Sequence, residues 1–214
     1  MRFWEILPGA SLWFTFFALV FLSWQRPLFV AIFILLYDFY WLLKIFYLSF
    51  HLRFSFLKMK ENLKINWLDR LEKDLPRHER GKANWKDIYH LIIFPMYRES
   101  YELARESFLA LLESNYPKEK FLVVLATEER GGEDDKKTAE KIKKEFDSFF
   151  GGFLVTSHPS GLPHEMPGKG SNESWAARDA QRILIDTKKI PYKNVLVSVF
   201  DIDTRAGENY FGIL

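Results

Sequence analysis

Two carboxylates one residue apart, Asp201 and Asp203, directly follow the apolar run Val195–Phe200. Such a pair suits a hard divalent cation, Mg²⁺ or Mn²⁺, which accepts a few protein oxygens and fills its shell with water and phosphate. A cation held there neutralises a diphosphate and serves as a Lewis acid for its departure. Alone, an Asp-x-Asp is equally a loop or helix-cap pattern. Its place at the end of an apolar run gives it weight.

Three other segments carry matching chemistry. Phe94-Pro95-Met96-Tyr97-Arg98-Glu99 closes another apolar run, with Glu99 positioned to start a helix and interact with its dipole. Thr127-Glu128-Glu129 sets acidic groups where a base or ribose could be met, or simply adds loop charge. Pro167-Gly168-Lys169-Gly170-Ser171-Asn172 offers glycines, free N–H groups and a lysine to a phosphate. The same residues also read as an ordinary helix start capped by Ser171 or Asn172.

The elements that must position these residues alternate along the chain. Ile88–Phe94, Phe121–Ala126, Phe153–Thr156 and Val195–Phe200 read as strands, with Phe121–Ala126 apolar on both faces. Tyr101–Ser114, Asp134–Phe150 and Asn172–Thr187 read as the helices between them, the first two with an apolar stripe at helical spacing. Short apolar strands separated by helices predict an α/β fold with a mostly parallel sheet and helices on both faces. Ligands of such sheets bind outside the carboxyl ends of the strands, where the four segments above all fall.

In this order the segments resemble the family 2 glycosyltransferases of the GT-A fold. Pro95-Met96-Tyr97-Arg98-Glu99 is similar to the family's Pro-x-x-Asn-Glu. Gly168-Lys169-Gly170-Ser171-Asn172-Glu173-Ser174 is similar to an altered Gly-Lys-x-x-Ala-Leu-Asn. Val199-Phe200-Asp201-Ile202-Asp203-Thr204 matches the metal motif, and the nearby Asn209-Tyr210-Phe211 is also typical of the family. The family's Asp-Asp-Gly-Ser after the second strand is replaced by Ala126-Thr127-Glu128-Glu129. The resemblance implies a Rossmann-like GT-A domain over 87–214 and a nucleotide-diphosphate sugar as donor. Pro95, Tyr97, Glu99, Glu128, Lys169 and Asp201 would contact that donor. Asp203, with Asp201, would hold Mn²⁺ or Mg²⁺. It implies sugar transfer to a polysaccharide or lipid-linked acceptor, with a general base downstream of the metal motif. Because Leu214 lies so close to that motif, the base is expected beyond it, and 87–214 reads as the donor half of a truncated domain. His164 and Glu165 are weaker candidates for the base. The loop His158–Pro167 is a candidate metal site that more simply reads as a proline-rich surface loop.

The aromatic residues, 17% of the chain, crowd into its first part. Ile6–Trp24 carries no charge, and Pro27–Phe50 is interrupted only by Asp38 and Lys44. Each is long enough to cross a hydrocarbon core of about 30 Å. With only Gln25-Arg26-Pro27 between them, they predict a transmembrane helical hairpin over 1–52. A bulky Ser23-Trp24-Gln25 and a single leading Arg2 argue against a cleaved signal peptide. Asp38 within the second stretch reads as a partner for another helix or as a residue near an interface. Arg53, Lys58, Lys60 and Lys64 then place the soluble part in the cytoplasm by the positive-inside rule, on a multi-pass cell-membrane protein. Residues 53–86 read as an amphipathic linker carrying Leu63, Trp67, Leu68, Leu71 and Leu75, with a break over Pro76–Lys82.

No cysteine is present, which excludes disulfides, thiolate zinc sites and cysteine nucleophiles. The net charge of +2 includes no long single-sign block, so nucleic acid is not an expected partner. Two other function classes are a non-catalytic membrane protein that binds a nucleotide-sugar and another nucleotide-binding α/β enzyme such as a nucleotidyltransferase, the latter disfavoured because Pro95–Ser100 contains no glycine. The sequence names no particular sugar, base or acceptor.

Overall fold

The computed structural model describes residues 2–74, 84–163 and 165–214. Leu75, the expected break at 76–82 and His164 lie outside them. The chain divides into two compact units, 1–64 and 65–214.

In the first unit, α1 (Arg2–Gln25) and α2 (Pro27–Asn62) are joined through Arg26 alone. Pro27 opens α2, where its fixed φ suits a first helical turn and its missing N–H costs nothing. Both helices are long and apolar enough to cross a membrane, and their large apolar side chains are exposed. The second helix does not stop near Phe50. It runs 36 residues, through the basic stretch to Asn62. Nothing in 50–62 is a helix breaker, so the charged residues there do not end the helix.

The second unit is built on a four-stranded, all-parallel sheet in the order β3-β2-β1-β4. Its strands are β1 (Tyr89–Pro95), β2 (Phe121–Glu128), β3 (Gly152–His158) and β4 (Val195–Val199). Two short helices, α3 (Trp67–Asp74) and α7 (Tyr210–Ile213), touch each other at Gly212 and Trp67. Between the strands lie α4 (Tyr101–Glu113), α5 (Gly132–Phe146) and α6 (Lys169–Ala180), the last continued by a π-helical turn over Gln181–Asp186.

Alternation along the central strands explains the two cores. Ile92 and Phe94 of β1 face the same side as Phe121, Val123 and Leu125 of β2. There they meet Ala104, Phe108 and Leu111 of α4, and Ala139, Ile142 and Phe146 of α5. Leu91, Ile93, Leu122, Val124 and Ala126 face the other side, against Ala176, Ala180, Leu184 and Ile185. Each large apolar side chain removed from water in this way contributes about 1.5–3 kcal/mol. Every residue of β2 is buried. The edge strand β4 differs: Leu196, Val197 and Val199 are exposed, so its apolar sequence is not matched by cover.

Gly151 marks a tight join between α5 and β3. A Cβ there would stand 2.0 Å from the Glu119 carbonyl oxygen, a clash that only glycine avoids.

His90 sits on β1 within a ring of aromatics, with Tyr116 at 4.6 Å, Phe211 at 5.0 Å and Phe121 at 6.0 Å. It is 1% exposed, and its Nδ1 has no hydrogen-bond partner. Burial lowers its pKa to about 4, so the folded chain holds it neutral. An unfolded histidine takes up a proton below about pH 6.5, which pulls the equilibrium toward unfolding. Stability should therefore be full above pH 6.5. It should fall by an amount on the order of 3 kcal/mol as the pH drops toward 4. Urea unfolding of the detergent-solubilised chain across this range measures the loss, and His90→Phe should flatten it.

Candidate functional site

Parallel strands all end on the same edge of the sheet, so the loops after β1, β2 and β4 open on one side. There the chain reverses direction of growth: β2 and β3 are added on one side of β1, and β4 on the other. A crevice forms where two such halves diverge. In this protein it is a cleft of about 500 Å³ lined by residues after β1, β2 and β4 and at the start of α6. All seven residues singled out from the sequence, Pro95, Tyr97, Glu99, Glu128, Lys169, Asp201 and Asp203, line it.

The Asp pair is presented by a pinned turn. Phe200 N–H still donates to Ile93 O at 3.0 Å, extending the ladder one bond beyond β4. Ile202 then drops into the core at 4% exposure, and Ser107 of α4 donates to its carbonyl at 2.6 Å. Thr204 N–H closes the turn on Asp201 O at 2.8 Å. With Ile202 facing inward, Asp201 and Asp203 are left on the open side, both exposed.

Lys169, the first residue of α6, pairs through Nζ with Asp201 Oδ1 and stands 3.8 Å from Glu173. The hydrogen bond to Asp201 raises its pKa, so it stays an ammonium. The N-cap is Gly168, one residue before the helix and ahead of both Ser171 and Asn172, the caps expected from sequence. Ser171 Oγ accepts from Gly168 N–H at 3.2 Å and donates to Gly168 O at 2.7 Å, closing the first turn on itself. Asn172 is buried instead. Its amide donates to Ala126 O at 2.8 Å, and its Oδ1 has no partner.

The loop after β1 departs from the expected helix start. Met96 N–H continues the ladder past Pro95 by donating to Ala126 O at 2.9 Å. Glu99 precedes α4, whose N-cap is Ser100, accepting from Leu103 N–H at 3.2 Å. Glu99 folds back to accept from Tyr97 N–H. Arg98 holds φ at +67°, a left-handed conformation costly for a side chain with a Cβ. Asp135 of α5 compensates: its carboxylate, 3% exposed, accepts Arg98 N–H at 3.0 and 3.1 Å.

Glu128 ends β2 at 5% exposure, and Arg130 lies across it as a fork through Nε and Nη2, the latter at 3.1 Å. The Arg130 guanidinium also lies 4.5 Å from the Tyr97 ring centre. Glu129, its neighbour, turns away and clamps Ser160 through N–H and Oγ at 2.7 Å each, bonds that lower its pKa. In the loop after β3, His158 Nε2 contacts Glu165 Oε1 at 3.3 Å beside Trp175. Glu165 does not line the large cleft.

Arg130 and Asp135 were not singled out from sequence. Glu128-x-Arg130 at a strand end is a usable signal for an ion pair, whereas Asp135 looks like any acid in a helix first turn.

The donor set can be weighed against a divalent cation. No cluster of three or more His, Asp or Glu poised to hold a metal occurs among the described residues, which do not include His164 of the His158–Pro167 loop. A Mg²⁺ or Mn²⁺ bound beside a diphosphate does not need one, because it draws most of its oxygens from phosphate and water. The cleft brings four carboxylates, Glu99, Glu128, Asp201 and Asp203, against Arg130 and Lys169. Glu99, Glu128 and Asp201 each have a protein partner, while Asp203 makes no hydrogen bond or ion pair with described residues. A net negative cleft with one uncommitted carboxylate fits a cation.

No protein-family model and no curated protein matches the chain.

Asp135 should prove the support of the β1 loop. Asp135→Ala strands a backbone donor and should cost about 1–3 kcal/mol in urea unfolding, with Asp135→Asn costing less because it keeps an acceptor.

Proposed function

We propose that the 65–214 unit binds a nucleotide-diphosphate sugar through a divalent cation. On this reading the chain is the donor-binding part of a membrane-anchored glycosyltransferase of the GT-A, family 2 type. The supporting observation is the convergence of Asp201 and Asp203 with Lys169, Glu128 and the Pro95–Glu99 loop on one cleft at the strand ends of a parallel sheet. A volume of about 500 Å³ falls within the range of small-molecule sites.

In this assignment Asp203 and Asp201 hold Mn²⁺ or Mg²⁺, and the cation supplies Lewis acidity for a departing diphosphate. The remaining work belongs to the chain. Ile202, held by Ser107, fixes both carboxylates on the open side. Lys169 leaves Asp201 for a phosphate oxygen when the diphosphate enters, its charge being conserved by the exchange. Pro95 and Tyr97 wall the nucleoside side, and Glu99 holds the loop by its bond to Tyr97 N–H. The two apolar helices anchor the chain, and the basic residues after them favour a cytoplasmic site, where sugar nucleotides are made.

A second reading is donor binding without transfer. It is favoured by the state of the cleft's acids: Glu99, Glu128 and Asp201 are engaged, and Asp203 belongs to the cation. No cleft carboxylate is then free to deprotonate an acceptor hydroxyl. Glycosyl transfer by the purified chain with a membrane extract as acceptor distinguishes the two readings.

The shared premise is tested by titration calorimetry of uridine and guanosine diphosphates in the presence of Mn²⁺. Asp203→Ala should weaken binding by at least about tenfold, the loss of one charge-assisted contact. Equal binding with and without Mn²⁺, or unchanged affinity in Asp203→Ala, would discard the assignment. Lys169→Gln separates the roles of the lysine. Mn²⁺ alone, followed by its paramagnetic resonance, should bind about two- to fivefold tighter once the competing exposed ion pair is gone. Nucleoside diphosphate in excess Mn²⁺ should bind more weakly.

A further inference from the structure

The length of α2 sets a geometric problem in any bilayer. Thirty-six residues at a rise of 1.5 Å span about 54 Å. The hydrocarbon core is about 30 Å thick, and the whole bilayer with its headgroups about 40–45 Å. Standing upright from Pro27, the helix would carry its last turns into water. Those turns are not suited to water. Phe50, Leu52, Phe54, Phe56, Leu57 and Met59 are all exposed, from 48% to 73%. Among them stand Arg53, Lys58 and Lys60, with Lys64 just beyond the helix, against the single acid Glu61. No ion pair with described residues engages any of the four basic side chains.

Both demands are met at one depth. At a tilt near 40°, the upper end of the range for spanning helices, 54 Å projects to about 41 Å along the normal, the full bilayer thickness. The apolar side chains of 50–59 then contact the upper acyl chains. The lysine and arginine stems run alongside them and carry their charges up to the phosphates. Lys60 shows this interleaving, with its ammonium 5.0 Å from the Phe56 ring centre. Four cations against the single acid Glu61 at headgroup depth, none of them in an ion pair with described residues, suit anions supplied by the lipid itself.

We propose that residues 50–64 form a headgroup-level surface that selects anionic phospholipids through Arg53, Lys58, Lys60 and Lys64. The proposal rests on the reading that α2 spans the bilayer and is independent of what the cleft binds.

The test uses the full chain in nanodiscs of phosphatidylcholine containing a trace of spin-labelled phosphatidylglycerol or spin-labelled phosphatidylcholine. The motionally restricted fraction reports lipid at the protein surface. Phosphatidylglycerol should be enriched over phosphatidylcholine at least about threefold, and ~0.5 M salt should largely erase the difference. The variant with Arg53→Gln, Lys58→Gln, Lys60→Gln and Lys64→Gln should show no preference. Because the chain has no cysteine, Ser55→Cys provides a unique site for a fluorescent label. Spin-labelled lipid headgroups should quench it strongly. Equal association of the two lipids, selectivity that survives in the four-site variant, or an unquenched label would overturn the proposal. Release of the chain from membranes by alkaline carbonate would overturn the spanning reading along with it. Retention without selectivity would overturn the proposal alone.

Discussion

A parallel strand that ends beside a crevice must pass its chain onward without burying unpaired backbone groups, and at β4 this is done by Ile202. Its side chain is sunk in the core and its carbonyl is taken by Ser107, 95 positions earlier in the sequence. Inward residue 202 makes 201 and 203 outward. The acid pair is thus placed by an apolar residue and a hydroxyl, neither of which has any chemistry to perform. The convergence of four chain segments into one cleft depends on the same anchor, because α4, which carries Ser107, also begins at the end of the Pro95–Glu99 loop.

The other acids of the cleft are held by compensation of a similar kind. Glu128 is buried to a depth at which a lone carboxylate would be costly, and Arg130 answers it with a two-bonded fork while resting on Tyr97. Arg98 adopts a left-handed backbone, and Asp135 reaches from another helix to hold its N–H. Lys169 neutralises Asp201 from the first position of α6. Only Asp203 is left outside these pairings. Every cleft acid but one has a hydrogen-bonded or ion-paired partner among the described residues, and the ligand reading turns on that exception.

Much of this was legible in the sequence because it rests on short-range pattern. Runs such as Phe121–Ala126, short and containing β-branched residues between turn signals, read as strands buried on both sides, and β2 is that. The stripe of Leu103, Phe108, Leu111 and Leu112 announces a helix with one buried face, and all but Leu103, which is exposed, pack on the core. The strand ends came from these elements, and so did the cleft-lining residues. What was not legible depends on contacts distant in sequence. The pairing of Asp135 with Arg98 spans 37 positions, and nothing local distinguishes Asp135 from its acidic neighbours. The displacement of Glu99 from the start of α4 reflects Ser100 taking the cap, a position for which serine is favoured and glutamate is not. The continuation of α2 through 50–62 was hidden because a run of charge reads as the end of an apolar helix, although it contains no helix breaker. The open faces of β4 were hidden because Val-Leu-Val-Ser-Val reads the same in the middle of a sheet as at its rim.

That rim position has a dynamic consequence. The amides of β1 and β2 are enclosed on both sides by neighbouring strands and covered on both faces, so solvent deuterium reaches them only through wide opening of the unit. Half of the β4 amides face no neighbour, and three of its five side chains are open to water. Protection therefore declines across the sheet toward the strand that delivers Asp201 and Asp203. An edge strand carries the acids, and whatever grips them from the crevice also fastens that side of the sheet.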